Sequence, residues 1–142
     1  LLTRVAAEAL RHLPEQVELS PPNVPDFCSR LDRTTVTEAM GTEVLATRGF
    51  ASSAETIECA FGGSGRLVKV DLWNDDTGTL LDGLKRTKGA RPVNNVGDDG
   101  VISASGVLTA MDGDRAVQVT VRPDRYAEKA TAVARAALTA DQ

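Results

Sequence analysis

The sequence has little of what most familiar catalytic and metal sites require, since it contains one histidine and two cysteines among 142 residues. These counts exclude a four-ligand Cys/His zinc site built within the chain. A Ser-His-Asp triad or a Cys-His pair would have to use His12, which lies near the end of a predicted N-terminal helix without local partners. We therefore predict that His12 is a surface residue.

Aromatic residues are also scarce, at 4%, so the core must consist mainly of Val, Leu and Ala. The apolar fraction of 42% is still sufficient for a core and excludes wholesale disorder. No apolar run approaches the roughly 20 residues needed to span a bilayer. The net charge of -4 argues against a nucleic-acid partner. We expect membrane association only through an anchor outside this chain.

A proline-rich stretch divides the chain. Residues 1–13 carry apolar side chains at three- and four-residue steps, which predicts a helix. Residues 14–25 contain closely spaced prolines and predict an extended linker. Residues 26–142 then form one domain. Residues 3–10 and 131–138 share five of eight residues. This likeness either arises by chance or indicates that the first helix is the last helix of a preceding repeat.

Residues 26–41 predict a short helical region at the start of this domain. Thr34 or Thr35 can cap the helix at its N-terminus, and Gly41 is a suitable C-terminal stop.

Two further helices are predicted. Residues 77–88 would place Leu80, Leu81 and Leu84 toward the core, and residues 124–140 have a continuous apolar stripe.

The rest of the domain has strand character. Residues 55–61 and 66–73 flank the GGSG segment 62–65 and predict a hairpin. Residues 91–100 predict a loop. Three more strand-like runs follow: 100–105, 107–111 and 115–121, with a tight turn at Asp112-Gly113-Asp114 between the last two. Helices around these runs predict an α+β fold, in which helices cover one face of a mostly antiparallel sheet of about five to six strands.

Cys28 and Cys59 are the most informative pair. Neither lies in a C-x-x-C motif, so thioredoxin-type chemistry is not indicated. The two thiols are either free and buried or joined in a disulfide, and we favour the disulfide. It would stabilise the fold by roughly 3–4 kcal/mol through loop-closure entropy. A disulfide also implies an oxidising, extracytoplasmic compartment.

Acidic residues supply the remaining candidates. Three pairs lie in predicted turns: Asp75 with Asp76, Asp98 with Asp99, and Asp112 with Asp114. None has the spacing of a calcium loop, so we predict turn residues and no metal site. GGSG lacks the lysine of a phosphate loop and predicts a turn. Paired catalytic carboxylates, as in glycosidases, form in space and stay an alternative.

Trp73 ends a predicted strand and is followed by Asn74, Asp75 and Asp76. A lone Trp in an aromatic-poor domain is most often a core residue. The alternative is an exposed anchor for a ligand or partner, with Asp75 and Asp76 beside it.

Several motifs occur in an order that resembles a family of actinobacterial secreted proteins and lipoproteins of unknown function. They are DFCSRLDRTTVTEAMG, CAFGGSGRLVKVDLW, VNNVGDDGV, VLTAMDGDRAVQVTV and TAVARAAL, within residues 25–140. The resemblance implies export, pairing of Cys28 with Cys59, and a Mog1/PsbP-like α/β sandwich. Similar modules serve as ectodomains of kinase-like sensors. No lipobox cysteine is present, and no catalytic residues are implied.

Taken together, these features predict a non-enzymatic, extracytoplasmic module of the cell envelope that binds a protein or small ligand and uses no cofactor. One alternative is a structural repeat of a multidomain envelope protein. Another is an enzyme that acts on envelope glycans through carboxylates. A pocket holding two carboxylates, one with a perturbed pKa, would favour the enzyme.

Overall fold

The computed structural model describes residues 24–53, 55–75, 78–123 and 127–142. Four helices lie in these residues: α1 Asp26–Arg30, α2 Arg33–Met40, α3 Thr79–Lys85 and α4 Ala127–Ala140. They contain seven strands: β1 Ala46–Ala51, β2 Ile57–Gly63, β3 Arg66–Asn74, β4 Arg91–Pro92, β5 Asp99–Ile102, β6 Leu108–Asp112 and β7 Arg115–Arg122. The predicted helix 1–13, on which the likeness to residues 131–138 depends, and residues 14–23 of the predicted linker lie outside the described residues.

All seven strands form one antiparallel sheet in the order β1-β2-β3-β7-β6-β5-β4. This confirms the predicted α+β fold with a largely antiparallel sheet. The predicted count of five to six strands is too low, because two edge strands are present as well. β1 lies in a segment whose pattern predicts no element, and β4 occupies two residues inside the predicted loop 91–100.

The β2–β3 hairpin confirms the prediction around GGSG, with a narrower turn. Gly62 and Gly63 belong to β2, and the turn consists of Ser64 and Gly65. Gly65 has φ +66°, a conformation that glycine adopts without steric cost. A Cβ on Gly63 would lie 2.6 Å from Met40 Cε, so the absence of a side chain lets the end of α2 approach the sheet.

The main core lies between one face of the sheet and helices α2 and α4. Val68, Val70 and Leu72 on β3 are fully buried, as the alternation predicts. On β7 the alternate valines are buried in the same cluster, together with apolar side chains of both helices. We call this side of the sheet the covered face. Burying each such side chain stabilises the fold by about 1.5–3 kcal/mol relative to its exposure.

Helix α3 packs on the opposite face of the sheet, at one end. Leu81 is buried there against Met111 and Ala116, with Trp73 partly buried beside them. The prediction that Leu80 points inward is wrong, because its side chain is 44% exposed. A helix of seven residues can turn only one narrow stripe toward the sheet, and Leu81 with Leu84 occupies it.

The N-terminal cap of α2 also differs from the prediction. Asp32 is the capping residue, and its carboxylate accepts hydrogen bonds from the backbone N–H of Thr34 and the hydroxyl of Thr35. The threonines therefore serve as donors to the cap, because the helix begins two residues earlier than a Thr34 cap requires. Gly41 ends the helix in the left-handed conformation, as predicted.

Candidate functional site

Cys28 and Cys59 form a disulfide with a Cα–Cα distance of 5.7 Å. Both residues are buried in the main core, and the bond joins α1 to β2. This confirms the favoured interpretation and excludes two free thiols. The bond holds the N-terminal helices against the covered face, so it supports the sheet and forms no part of a surface site.

The face of the sheet opposite the main core carries the candidate site. Successive side chains of a strand point to opposite faces, so Lys69, Asp71 and Trp73 project away from the buried Val70 and Leu72. We call this side the open face, since among the described elements only α3 packs on it, and only at one end.

Strand register brings three side chains of the open face into one row. Phe50 on β1 lies opposite Glu58 on β2, and Glu58 lies opposite Asp71 on β3. Directly opposite residues of an antiparallel pair have Cβ atoms about 4.5–5.5 Å apart. The three side chains are therefore neighbours although they come from three separate strands.

A shallow groove of about 230 Å³ lies along this row. Its lining residues come from the adjacent ends of β1, β2 and β3: Phe50, Ser52, Thr56, Ile57, Glu58, Asp71, Leu72 and Trp73. Phe50 is 65% exposed and Trp73 is half-buried. The groove thus combines two aromatic rings with two carboxylates and two hydroxyl groups.

A lysine stands between the two carboxylates. The Lys69 Nζ atom lies 3.2 Å from Glu58 Oε1 and 3.8 Å from Asp71 Oδ2. Burial raises the pKa of Asp71 above its ordinary value, and the neighbouring Glu58 raises it further, while the Lys69 ammonium opposes both effects. The hydrogen bond to Glu58 and the charge of Asp71 raise the pKa of Lys69. Two carboxylates therefore share one ammonium, and one negative charge is left over.

Of the two predicted contact residues that the structure describes, Trp73 and Asp75, Trp73 lines the groove and Asp75 does not. The Trp73 side chain is partly buried, so its exposure is intermediate between that of a core residue and that of an exposed anchor, the two alternatives given by the sequence. The backbone N–H of Asp75 donates to the Asp114 carbonyl at 2.7 Å and ties the end of β3 to the β6–β7 turn. Asp76 lies outside the described residues.

The predicted acidic pair Asp98 and Asp99 makes structural contacts in a turn and in an ion pair. Asp98 Oδ2 accepts a hydrogen bond of 2.7 Å from the backbone N–H of Gly113 in the β6–β7 turn, and Asp99 pairs with Lys85. Across residues 24–53, 55–75, 78–123 and 127–142, no group of three or more His, Cys, Asp or Glu side chains is placed to hold a metal ion.

One guanidinium group joins the elements beneath the groove. Arg115 makes two bonds to Asp141, with Nε to Oδ2 at 2.8 Å and Nη2 to Oδ1 at 3.0 Å. Its Nη1 atom donates to the Asn74 side chain at 2.8 Å and to the Glu55 carbonyl at 2.6 Å. Arg115 therefore connects the C-terminus of α4 to the end of β3 and to the residues that lead into β2.

Sequence reasoning did not single out Phe50, Glu58 or Asp71. Glu58 and Asp71 stand at alternating polar positions of predicted strands, and that pattern alone indicates only a solvated face. Their proximity depends on the β2–β3 register, which places them directly opposite each other. Phe50 lies in a strand that the sequence pattern does not indicate.

In the described part of the chain, no helix has the length and apolar character needed to cross a bilayer. Comparison of the chain with protein-family models, with curated proteins and with solved structures gave no match. The resemblance to actinobacterial envelope proteins therefore stays a prediction, and the groove is the feature from which a function can be inferred.

Proposed function

We propose that this protein is an extracytoplasmic, non-enzymatic binding module whose ligand occupies the groove on the open face. The observation that carries the proposal is the lining of the groove, where Phe50 and Trp73 accompany the paired carboxylates of Glu58 and Asp71. Aromatic side chains with a few placed polar groups are typical of ligand sites. Exposed aromatic residues also supply much of the binding energy at protein interfaces.

The compartment is part of this proposal. The Cys28–Cys59 disulfide is buried and joins two separate elements of the fold. Disulfides of this structural kind persist in oxidising environments and are rare in the reducing cytosol. This supports a place in the cell envelope or outside the cell.

One observation favours a second candidate, a glycan hydrolase that uses carboxylates. Glu58 and Asp71 are adjacent in the groove, and the pKa of Asp71 is raised, as expected of a general acid. Lys69 argues against this role because its ammonium contacts both carboxylates. The Lys69 ammonium opposes the rise in the pKa of Asp71, whereas a general acid must hold its proton until the transition state.

Binding in the groove can be tested with a matched pair of variants. Phe50 and Leu45 are both exposed apolar residues, at 65% and 67%, but only Phe50 lines the groove. We expect a mixed library of neutral, anionic and cationic small molecules to shift backbone amide NMR signals of β1, β2 and β3 around the groove. Phe50→Ser should weaken that binding about tenfold, which corresponds to the loss of one aromatic contact, whereas Leu45→Ser should leave it unchanged.

Two outcomes would contradict the proposal. If every bound compound shifts signals away from the groove, or if none binds, the groove is not the ligand site. If an envelope oligosaccharide is hydrolysed and Asp71→Asn abolishes turnover, the enzyme candidate replaces the binding module.

A further inference from the structure

We infer that the groove takes an organic cation, an ammonium or guanidinium group carried by a small amine or by a Lys or Arg side chain of a polypeptide. The inference rests on the proposed function and specifies the chemistry of the ligand. It follows from the charge balance in the groove, the aromatic lining and the volume available.

The groove carries more negative than positive charge. Glu58 and Asp71 both contact Lys69 Nζ, and this triad holds one more negative charge than positive charge. Arg48 lies on the open face two residues before Phe50, in the row that contains Lys69, and it does not line the groove. Arg115 is directed by its register with Asn74 toward the covered side. The groove is therefore left with uncompensated negative charge.

Part of that negative charge lies on a half-buried carboxylate, that of Asp71. Asp71 is only partly solvated, and the repulsion between its carboxylate and that of Glu58 adds to the cost of its burial. A bound cation would lower this cost because it supplies a second partner for the pair. A neutral sugar could accept and donate hydrogen bonds here, but it would leave the excess charge uncompensated, and an anion would be repelled.

Two aromatic rings contribute to the lining of the groove. Phe50 and Trp73 line the same groove as the carboxylates. The electron-rich faces of phenyl and indole rings attract cations, and Trp does so most strongly. Rings and carboxylates within one site therefore favour the same class of ligand.

The groove is small. The groove volume of about 230 Å³ is below the range of roughly 300–1,000 Å³ that is usual for sites enclosing drug-sized molecules. The groove suits one charged group with a short stem. The net charge of -4 on the whole chain adds long-range attraction for a cation.

The chain contains one tryptophan, so its fluorescence reports on this groove directly. The 142-residue protein is titrated at about pH 7.5 and constant ionic strength with tetramethylammonium and, separately, with neopentyl alcohol, which has a similar shape and no charge. We expect a saturable change in Trp73 emission with the cation and none with the alcohol. Agmatine and a short peptide with one internal arginine then distinguish the sources: binding of the peptide that is more than about tenfold tighter identifies a polypeptide, and equal binding identifies a small amine.

Charge variants give the sharper test, because two of them must act in opposite directions. Glu58→Gln and Asp71→Asn should each weaken cation binding about fivefold or more, since each removes a carboxylate from the site. Lys69→Gln should tighten cation binding, since it removes the ammonium that competes for both carboxylates. Glu38→Gln, an exposed acidic residue on α2, is the control for net charge and should change nothing.

The outcomes separate the ligand class from the site itself. If Lys69→Gln weakens cation binding, or if a neutral or anionic compound saturates the groove and cations do not, the inference is wrong while the groove remains a binding site. If no cation changes Trp73 emission and the mixed-library screen also finds no groove ligand, both proposals fail.

Discussion

At the residue scale, close contacts decide which positions tolerate change. Gly49 on β1 lies under the segment that leads into α1, and a Cβ placed there would be 2.4 Å from Pro25 Cδ and 3.0 Å from Cys28 Sγ. Neither neighbour is the free end of a flexible side chain, because one is a ring atom and the other is held in the disulfide. Gly49 therefore allows the N-terminal segment to pack directly on the sheet.

We predict that Gly49→Ala destabilises the oxidised protein by about 1–3 kcal/mol, the usual cost of forcing extra atoms into a packed site. Gly62→Ala on the neighbouring strand is the matched control, because a Cβ there meets nothing within 4 Å. Urea unfolding should show a lower midpoint for the first variant and a change of less than about 0.5 kcal/mol for the second. An unchanged midpoint for Gly49→Ala would show that the N-terminal segment does not pack against β1.

At the element scale, periodic burial is what the sequence encodes most clearly. β3 and β7 bury alternate valines, and α4 buries a continuous apolar stripe, so the amino-acid pattern alone predicts these elements. β1 lacks that pattern because it lies at a sheet edge where most side chains are exposed. β4 has two residues and cannot show a period.

Strand register is the reason why the sequence does not predict the groove. Its aromatic and acidic side chains come from three strands, and their proximity depends on strand register. Register is set by tertiary packing and turn geometry, which a single sequence does not display directly. Trp73 is recognisable as a candidate because it is the only Trp, whereas its partners look like ordinary surface residues.

Arg115 is the element-scale connection that can be tested most directly. Its bonds to Asp141, Asn74 and Glu55 join α4 to the strand ends below the groove. We predict that Arg115→Ala lowers the free energy of unfolding by about 2 kcal/mol, after allowance for partial exposure of the pair. Arg115→Lys should recover less than half of this loss, because an ammonium cannot reproduce the two-point geometry of the guanidinium.

Arg33→Ala is the control for loss of an arginine. Its guanidinium donates to the exposed Thr47 hydroxyl at 3.2 Å, and we expect a change of less than about 0.5 kcal/mol. A double-mutant cycle between Arg115 and Asp141 should give a coupling of about 1 kcal/mol. Independent effects of the two substitutions would show that the contact contributes little.

At the scale of the whole molecule, two connections hold the helices on the covered face. Helix α4 lies on the sheet through its apolar stripe, while α1 has only five residues and could not stay helical in isolation. The Cys28–Cys59 disulfide fixes α1 to β2, the strand next to the sheet edge, across a sequence separation of 31 residues. Its effect is therefore expected mainly on the unfolded chain, where it removes the freedom of a long loop.

We predict that reduction of this disulfide lowers the free energy of unfolding by about 3–4 kcal/mol, as loop-closure entropy implies for this separation. Comparison of oxidised and reduced wild-type protein isolates the bond, because both cysteine side chains stay in place and no cavity is created. The Cys28→Ala/Cys59→Ala variant should lose more stability than the reduced protein, since it also removes buried sulfur atoms from the core. Thiol titration of the denatured, unreduced protein checks the starting state, and it should find no free thiol; two reactive thiols there would remove the argument for an extracytoplasmic location as well as the predicted loss of stability.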